Sequence, residues 1–311
     1  MRFGNIAVRL LAAEAVRQRA LDLIEGVDPK GKSEHWQENA FHSLYGSPSK
    51  VLTEQWNALC LSSDPDIKLT VNEMSARGFR GFMMAHFFLW QNPKNAFTFG
   101  SRFGVCERLA RGHPIWKWIT KLAALAKQVI IWSNDLDAVN TAKRILSVDG
   151  VDFRTWEQKH ERYNMDTKDC SKKFNHAAAK YEIALHAYKS QVVWVSGPHR
   201  GGKRDLEIFR EGLKKKVKIW KKLNADRGYR SSEPDEKDIF SIPCNTDSKE
   251  NHEYKSRARL RHETFNRRLK CFNILDDTFK YSRDKHQKCV LAVVGTVQFQ
   301  MNNGYPLFDI G

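Results

Sequence analysis

Three acidic residues in the second half of the chain stand in settings that suit metal-dependent chemistry. Asp149 ends a short apolar run and is followed at once by glycine, Asp226 lies in Ala-Asp-Arg-Gly-Tyr, and Glu263 lies in Arg-His-Glu-Thr-Phe-Asn-Arg-Arg-Leu-Lys. Cleavage of a phosphodiester requires an activated water or hydroxyl and neutralisation of the charge that builds on the phosphorus oxygens. Two hard cations about 4 Å apart can supply both. We therefore predict one carboxylate site for Mg²⁺, with Asp149 bridging and Asp226 and Glu263 each completing one metal shell.

The elements around these acids must bring together residues that are 77 and 37 positions apart. Residues 145–153 have the pattern of a buried strand, which places Asp149 at the rim of a sheet. Residues 223–229 bring Asp226 to the end of a second strand. Residues 249–280 are predicted to form one long helix with an apolar face that includes Phe265. Glu263 lies about 200° around that helix from Phe265 and points away from the face.

Glu263 has a simpler interpretation as well. A glutamate among arginines is often only a surface ion pair, although that interpretation leaves Asp149 and Asp226 unexplained. Asp152 and Asp205 are the acids most easily mistaken for members of the trio, and we leave them outside it. No Cys/His cluster has zinc spacing, which argues against zinc.

The charge of the chain points to a polyanionic partner. The net charge is +16, and residues 1–140 contain 17 basic and 13 acidic residues against 35 and 23 in residues 141–311. The half that carries the acids is therefore also the strongly basic half, as expected of an enzyme that acts on DNA. A small neutral metabolite would not require this charge.

The composition also indicates the cellular compartment in which the protein resides. The six cysteines are widely spaced and are predicted to be reduced, which favours an intracellular protein. No apolar run approaches the roughly 20 residues that span a bilayer. Residues 205–223 are predicted to form a helix, and residues 214–222 within it are rich in lysine, which fits a nuclear import signal, a phosphate-contacting surface or a solvated helix face. We expect the protein to be nuclear, or cytosolic before import.

The first half is predicted to be an all-α domain, residues 1–140, with a buried helix at 74–90 and a linker at 134–140. Residues 92–121 suggest a helix-turn-helix, with a turn near Phe103-Gly104-Val105, and an ordinary helical hairpin with a basic face is the alternative. Residues 197–202 are predicted to form a glycine-rich, DNA-facing loop. The residues that we predict to contact DNA are Arg102, Arg108, Arg111, Lys117, Arg200, Lys203, Arg267 and Lys270.

Four motifs in fixed order resemble the endonuclease domain of the Harbinger-type (PIF/Harbinger) transposases, a DDE superfamily. They are Ser-Val-Asp-Gly-Val-Asp-Phe, Val-Ser-Gly-Pro-His-Arg-Gly-Gly-Lys-Arg-Asp-Leu-Glu-Ile-Phe-Arg, Ala-Asp-Arg-Gly-Tyr, and Arg-His-Glu-Thr-Phe-Asn-Arg-Arg-Leu-Lys. The resemblance covers roughly residues 143–311, and the helical region from Phe41 is similar to the leader of that family. Where many relatives have Ala-Asp-Lys-Gly-Tyr, this chain has Arg227, which keeps the charge.

The resemblance implies an RNase H-like fold for residues 141–311, a mixed sheet flanked by helices. It also implies cleavage and strand transfer at the terminal inverted repeats of a mobile element, dependent on Mg²⁺ or Mn²⁺. The family's catalytic acids fall on Asp149, Asp226 and Glu263. A separate Myb-like DNA-binding protein is an expected partner, and a homo-oligomer is kept open.

Three functions compete at this point. The first is an active transposase, which the intact acid trio favours. The second is a domesticated or decayed copy that binds DNA or serves as a scaffold without catalysis. The third is a host nuclease on the same fold, which would lack strand transfer.

Overall fold

The computed structural model describes residues 11–132, 136, 144–156, 167–217, 222–237 and 239–310. The predicted linker at 134–140 therefore lies outside the described residues except for Leu136, and so does part of the lysine-rich stretch at 214–222. None of the helices in the described ranges combines the length and the apolar character that crossing a membrane requires.

The described part of the first half is helical, as predicted. Polar side chains begin several of these helices: Ser33 accepts from the Trp36 amide, and Asn95 accepts from the Phe97 amide at 2.8 Å. The buried helix predicted at 74–90 is confirmed at Ala76–Gln91. The helices are α1 (Ala13–Asp22), α2 (Glu34–Tyr45), α3 (Ser49–Leu61), α4 (Ala76–Gln91), α5 (Ala96–Arg102), α6 (Glu107–Arg111) and α7 (His113–Val129).

The second half contains a mixed sheet flanked by helices, in agreement with the predicted α/β class. Among the described residues the sheet has six strands in the order β2-β3-β1-β5-β6, and β4 also pairs with β3. β1 is antiparallel to β3 and parallel to β5. The strands are β1 (Leu146–Arg154), β2 (Cys170–Ser171), β3 (His176–His186), β4 (Val192–Arg200), β5 (Leu223–Asn224) and β6 (Phe240–Ser241).

The remaining helices are α8 (Asp205–Glu211), α9 (Pro234–Lys237), α10 (Lys249–Lys270), α11 (Asn273–Asp276) and α12 (Arg283–Asn302). The single helix predicted for residues 249–280 is wrong beyond Lys270. Phe272 takes an extended backbone, with φ −81° and ψ 112°, and ends the helix there. Phe272 and Leu275 are nevertheless buried. The spacing of the apolar residues therefore predicted correctly which side chains are buried, but it did not predict where the helix ends.

Two other predicted elements change in extent. The predicted glycine-rich loop at 197–202 is strand for its first four residues, because β4 continues to Arg200 and only Gly201 and Gly202 turn. The helix predicted from Asp205 to Leu223 ends at Glu211 as α8, and a short 3₁₀ turn follows at Leu213–Lys215.

One hydrophobic core includes residues from both halves of the chain. It contains Val16 and Trp56 from the first half with Val151, Phe265 and Val297 from the second. α7 packs closely on α12, so closely that a β-carbon on Gly295 would lie 2.7 Å from that of Ala126. The division into residues 1–140 and 141–311 stays a prediction, and the contact joins the two stretches in one packed body.

Candidate active site

The pairing of β1 with β5 brings the first two acids together. Leu146 pairs with Leu223 and Ser147 with Asn224, so the parallel register has an offset of 77 residues. Asp149 and Asp226 have the same offset, and Asp226 lies two residues beyond the end of β5. Neighbouring strands lie about 4.8 Å apart. The register therefore places Asp226 next to Asp149, at a point where β5 has ended and β1 remains paired only with β3 on its other side among the described residues.

Asp205, which was predicted to lie outside the acid trio, lies with these two acids. It is the first residue of α8, and its carboxylate packs against the backbone at two glycines. A β-carbon on Gly150 would lie 2.4 Å from Asp205 Oδ1, and one on Gly228 would lie 2.7 Å from Asp205 Oδ2. The missing side chains leave room for the carboxylate. The sequence does contain a signal for Asp205, because a glycine lies close to each of the other two acids. Gly150 directly follows Asp149, and Gly228 lies two residues after Asp226.

The electrostatics of Asp149 indicate a crowded group of acids. Burial, and then the charges of Asp226 and Asp205, raise the pKa of Asp149 to about 7. Part of the charge is balanced inside the protein, because Lys180 Nζ donates to Asp205 Oδ1 at 3.1 Å and lies 3.9 Å from Asp152 Oδ1. A buried carboxylate whose pKa is raised by neighbouring carboxylates is one that a bound cation would stabilise.

Glu263 lies on α10, which packs against β1. As predicted, it points away from the apolar face, and its side chain is 48% exposed. Its Oε1 accepts from Arg259 Nε at 2.9 Å, so the ion pair that the simpler interpretation expects is present. Glu263 also lines the same cleft as Asp149 and Asp226. The structure thus places all three predicted acids around one cavity.

That cleft is about 960 Å³ and has basic walls around an acidic floor. Lys203, Arg267 and Lys270, three of the predicted DNA contacts, line it. Arg200 is not among the lining residues and pairs instead with Asp169, with 3.0 Å between Nε and Oδ1. Basic residues that were not among the predicted DNA contacts also line the cleft: Lys172, Lys173, Lys180, Arg204, Arg230, Lys255 and Arg259.

The basic residues of the predicted helix-turn-helix have varied surroundings. Lys117 Nζ lies 2.8 Å from Oε1 of the buried Glu73, and the Arg102 guanidinium lies 6.0 Å from the centre of the Phe87 ring. Arg108 is exposed, whereas the side chain of Arg111 lies outside the described part of the structure. The turn near Phe103 separates α5 from α6, and α7 is held between α4 and α12. A DNA-reading role for this segment stays a prediction.

The carboxylate oxygens of these acids are chemically suited to bind a hard cation, although the side chains do not converge on a single point. No group of three His, Cys, Asp or Glu side chains in the described ranges stands close enough together to hold a metal ion. Asp226 Oδ1 accepts from the Gly228 amide at 2.8 Å, and Glu263 is bonded to Arg259. The oxygens of Asp149, Asp205 and Asp226 are nonetheless the ligands that Mg²⁺ and Mn²⁺ prefer.

Comparison with known families agrees with this geometry. Residues 148–298 match the family model described as DDE superfamily endonuclease. The match includes Asp149, Asp205, Asp226 and Glu263, and the mixed sheet flanked by helices is consistent with an RNase H-like domain. No curated protein and no solved structure gave a significant match. The family points to a transposase-like nuclease with DNA as its substrate and a divalent metal as its usual cofactor.

Proposed function

We propose that the protein is a metal-dependent DNA endonuclease of the transposase type, with Asp149, Asp226 and Glu263 as its catalytic acids. The observation that carries the proposal is the parallel register of β1 and β5, which sets Asp149 beside Asp226 at the floor of a basic cleft. The motif resemblance supports a Harbinger-type enzyme that acts at mobile-element ends in the nucleus. A Myb-like partner protein belongs to the same proposal.

The metal would be held by Asp149 and Asp226, with Asp205 beside them and Glu263 on the facing helix. A bound Mg²⁺ or Mn²⁺ supplies charge neutralisation at the phosphate and lowers the pKa of a water or hydroxyl that attacks it. The raised pKa of Asp149 supports this assignment, because binding of a cation would replace the proton that burial and the two neighbouring carboxylates favour.

The basic walls would hold the DNA backbone over the acids. Lys172 and Lys173 come from the turn between β2 and β3, while Arg267 and Lys270 come from the last turns of α10. Contacts of this kind position a duplex without reading its sequence. The Arg259 guanidinium, now on Glu263, is well placed to exchange that carboxylate for a phosphate when DNA enters. Glu263 would then be released toward the acid floor.

Nicking of supercoiled plasmid by the purified full chain, with Mg²⁺ or Mn²⁺ against EDTA, tests the proposal. Asp149→Asn should abolish nicking and keep DNA binding, because it removes one charge and preserves the shape of the side chain. Asp284→Asn is the matched control, since Asp284 lies on α12, is exposed and pairs with Lys288. It should nick at the wild-type rate.

Three outcomes would contradict the proposal. Nicking by the Asp149→Asn variant at the wild-type rate would remove Asp149 from the site. DNA binding by the wild-type chain with no nicking under any metal condition would favour a domesticated DNA-binding protein. Nicking without joining of cut ends to a target duplex would favour a host nuclease over a transposase.

A further inference from the structure

Two side-chain hydrogen bonds attach α10 to β1 at matching intervals. Ser147 Oγ and His262 Nδ1 are 3.0 Å apart, and Asn266 Nδ2 donates to Asp149 Oδ2 at 2.8 Å. Four helical residues rise about 6.0 Å and two strand residues about 6.6 Å, so the two bonds fit one straight contact between the elements. Each bond therefore reinforces the register that the other sets.

Asn266 occupies a special position in this contact. It is one helical turn after Glu263, and it is bonded directly to the acid at the centre of the site. Its own Oδ1 is buried and has no hydrogen-bond partner among the described residues. A buried unpaired amide oxygen is costly. The Asn266 side chain is thus held in a position where its oxygen is unpaired and its amide nitrogen donates to Asp149.

We propose that Asn266 is a positioning residue of the acid site: its amide orients the Asp149 carboxylate and fixes α10, and with it Glu263, over strand β1. This inference rests on the proposed function and deepens it. Hydrogen bonds to a ligating carboxylate fix its orientation, and their loss typically costs 10–100-fold in metal affinity. Asn266 touches neither substrate nor reacting atoms in this role, so it acts through Asp149.

The fold of α10 does not depend on Asn266 alone. The buried Arg261 donates to the carbonyl oxygens of His186, at 2.9 Å, and Phe308, at 2.8 Å. The bond between Ser147 and His262 is also buried. Removal of the Asn266 amide should therefore leave α10 folded and docked, and its effect should appear in the metal site.

The test uses Mn²⁺ alone as the probe, bound to the full chain without DNA and measured by electron paramagnetic resonance. Asn266→Ala and Asn266→Leu should each weaken Mn²⁺ binding by about tenfold or more. Both should nick plasmid poorly at low Mn²⁺ and recover when Mn²⁺ is raised by the same factor. Thr264→Ala is the matched control, because Thr264 lies on α10 and, among the described residues, its hydroxyl donates only to the Leu260 carbonyl within that helix. It should bind Mn²⁺ like the wild type.

The outcomes separate this inference from the function on which it rests. Wild-type Mn²⁺ binding and nicking, with both Asn266 variants unchanged, would overturn the inference alone. A wild-type chain that neither binds Mn²⁺ nor nicks DNA would overturn both. A fall in melting temperature that accounts for the lost metal binding would assign Asn266 to folding and would also overturn the positioning role.

Discussion

Gly150→Ala tests whether Asp205 belongs to the active site. The added β-carbon would lie 2.4 Å from Asp205 Oδ1 and 3.1 Å from its Cγ. Non-bonded heavy atoms pack best at roughly 3.5 Å, so the carboxylate must retreat by about 1 Å. Gly150 lies inside β1 and has no positive φ, so alanine fits its backbone without strain. The substitution therefore moves one carboxylate and little else.

The expected effect on activity is much larger than that on stability. A misplacement of about 1 Å in a catalytic group can cost on the order of 10²-fold in rate. The contact between Lys180 and Asp205 is the interaction at risk, and a partly exposed pair of this kind contributes about 1 kcal/mol or less. Replacing glycine by alanine within a strand returns roughly 0.5–1 kcal/mol. The melting temperature should therefore change by a few degrees at most.

The assay is Mg²⁺-dependent nicking of supercoiled plasmid, measured for Gly150→Ala, Asp205→Ala and the double variant. Asp205→Ala removes the group with which the new methyl collides. If Gly150→Ala acts through Asp205, adding it to Asp205→Ala should change the rate by less than about threefold, because coupled residues are not additive. DNA binding measured by gel shift should be unchanged in all three.

Two results would refute this reasoning. Nicking by Gly150→Ala at the wild-type rate would show that the position of Asp205 has no bearing on catalysis. The second is a nicking rate for the double variant that is a further hundredfold or so below that of Asp205→Ala. The methyl group would then act on something other than Asp205, and the glycine would be required for a different reason.

Three further predictions follow from the packing and charge of the chain. Hydrogen bonds from a neighbouring arginine and, to a lesser extent, a neighbouring lysine lower the pKa of Glu236 from 4.5 to about 2. Glu236→Gln should therefore reduce the free energy of unfolding by about 2 kcal/mol at pH 7. In denaturant titrations this deficit should shrink as the pH falls from about 4.5 to 2, because protonation removes the stabilisation from the wild type, and a constant deficit would contradict the assignment. Changing both Lys172 and Lys173 to Gln should lower the slope of log affinity for DNA against log salt by about 2, and an unchanged slope would place both outside the interface. Gly295→Ala should destabilise the fold by about 1–3 kcal/mol, because the new β-carbon would lie 2.7 Å from that of Ala126. Nicking per folded molecule should be unchanged. An unaltered melting curve would show that α7 and α12 can separate freely.

Local patterns in the sequence were sufficient for much of the site. The apolar run before Asp149 predicted residues 145–153 as a strand, and β1 spans Leu146–Arg154. The helical spacing around Phe265 predicted that Glu263 would lie off the apolar face, and it is exposed while Phe265 is buried. Both predictions depend only on the period of a strand or helix, which residues close in sequence determine.

Contacts between residues far apart in the sequence decided the features that these local patterns could not predict. The offset of 77 residues became meaningful only when β5 paired with β1 in that register, and a shift by one residue would have turned Asp226 to the other face. Asp205 entered the site because the glycines beside Asp149 and Asp226 left space for it. The helix ended at Lys270 because tertiary contacts, including Phe272 against Trp90 with ring centres 5.1 Å apart, outweighed an unbroken apolar repeat. Sequence periodicity determined which side chains are buried, and contacts between distant elements determined which acids meet.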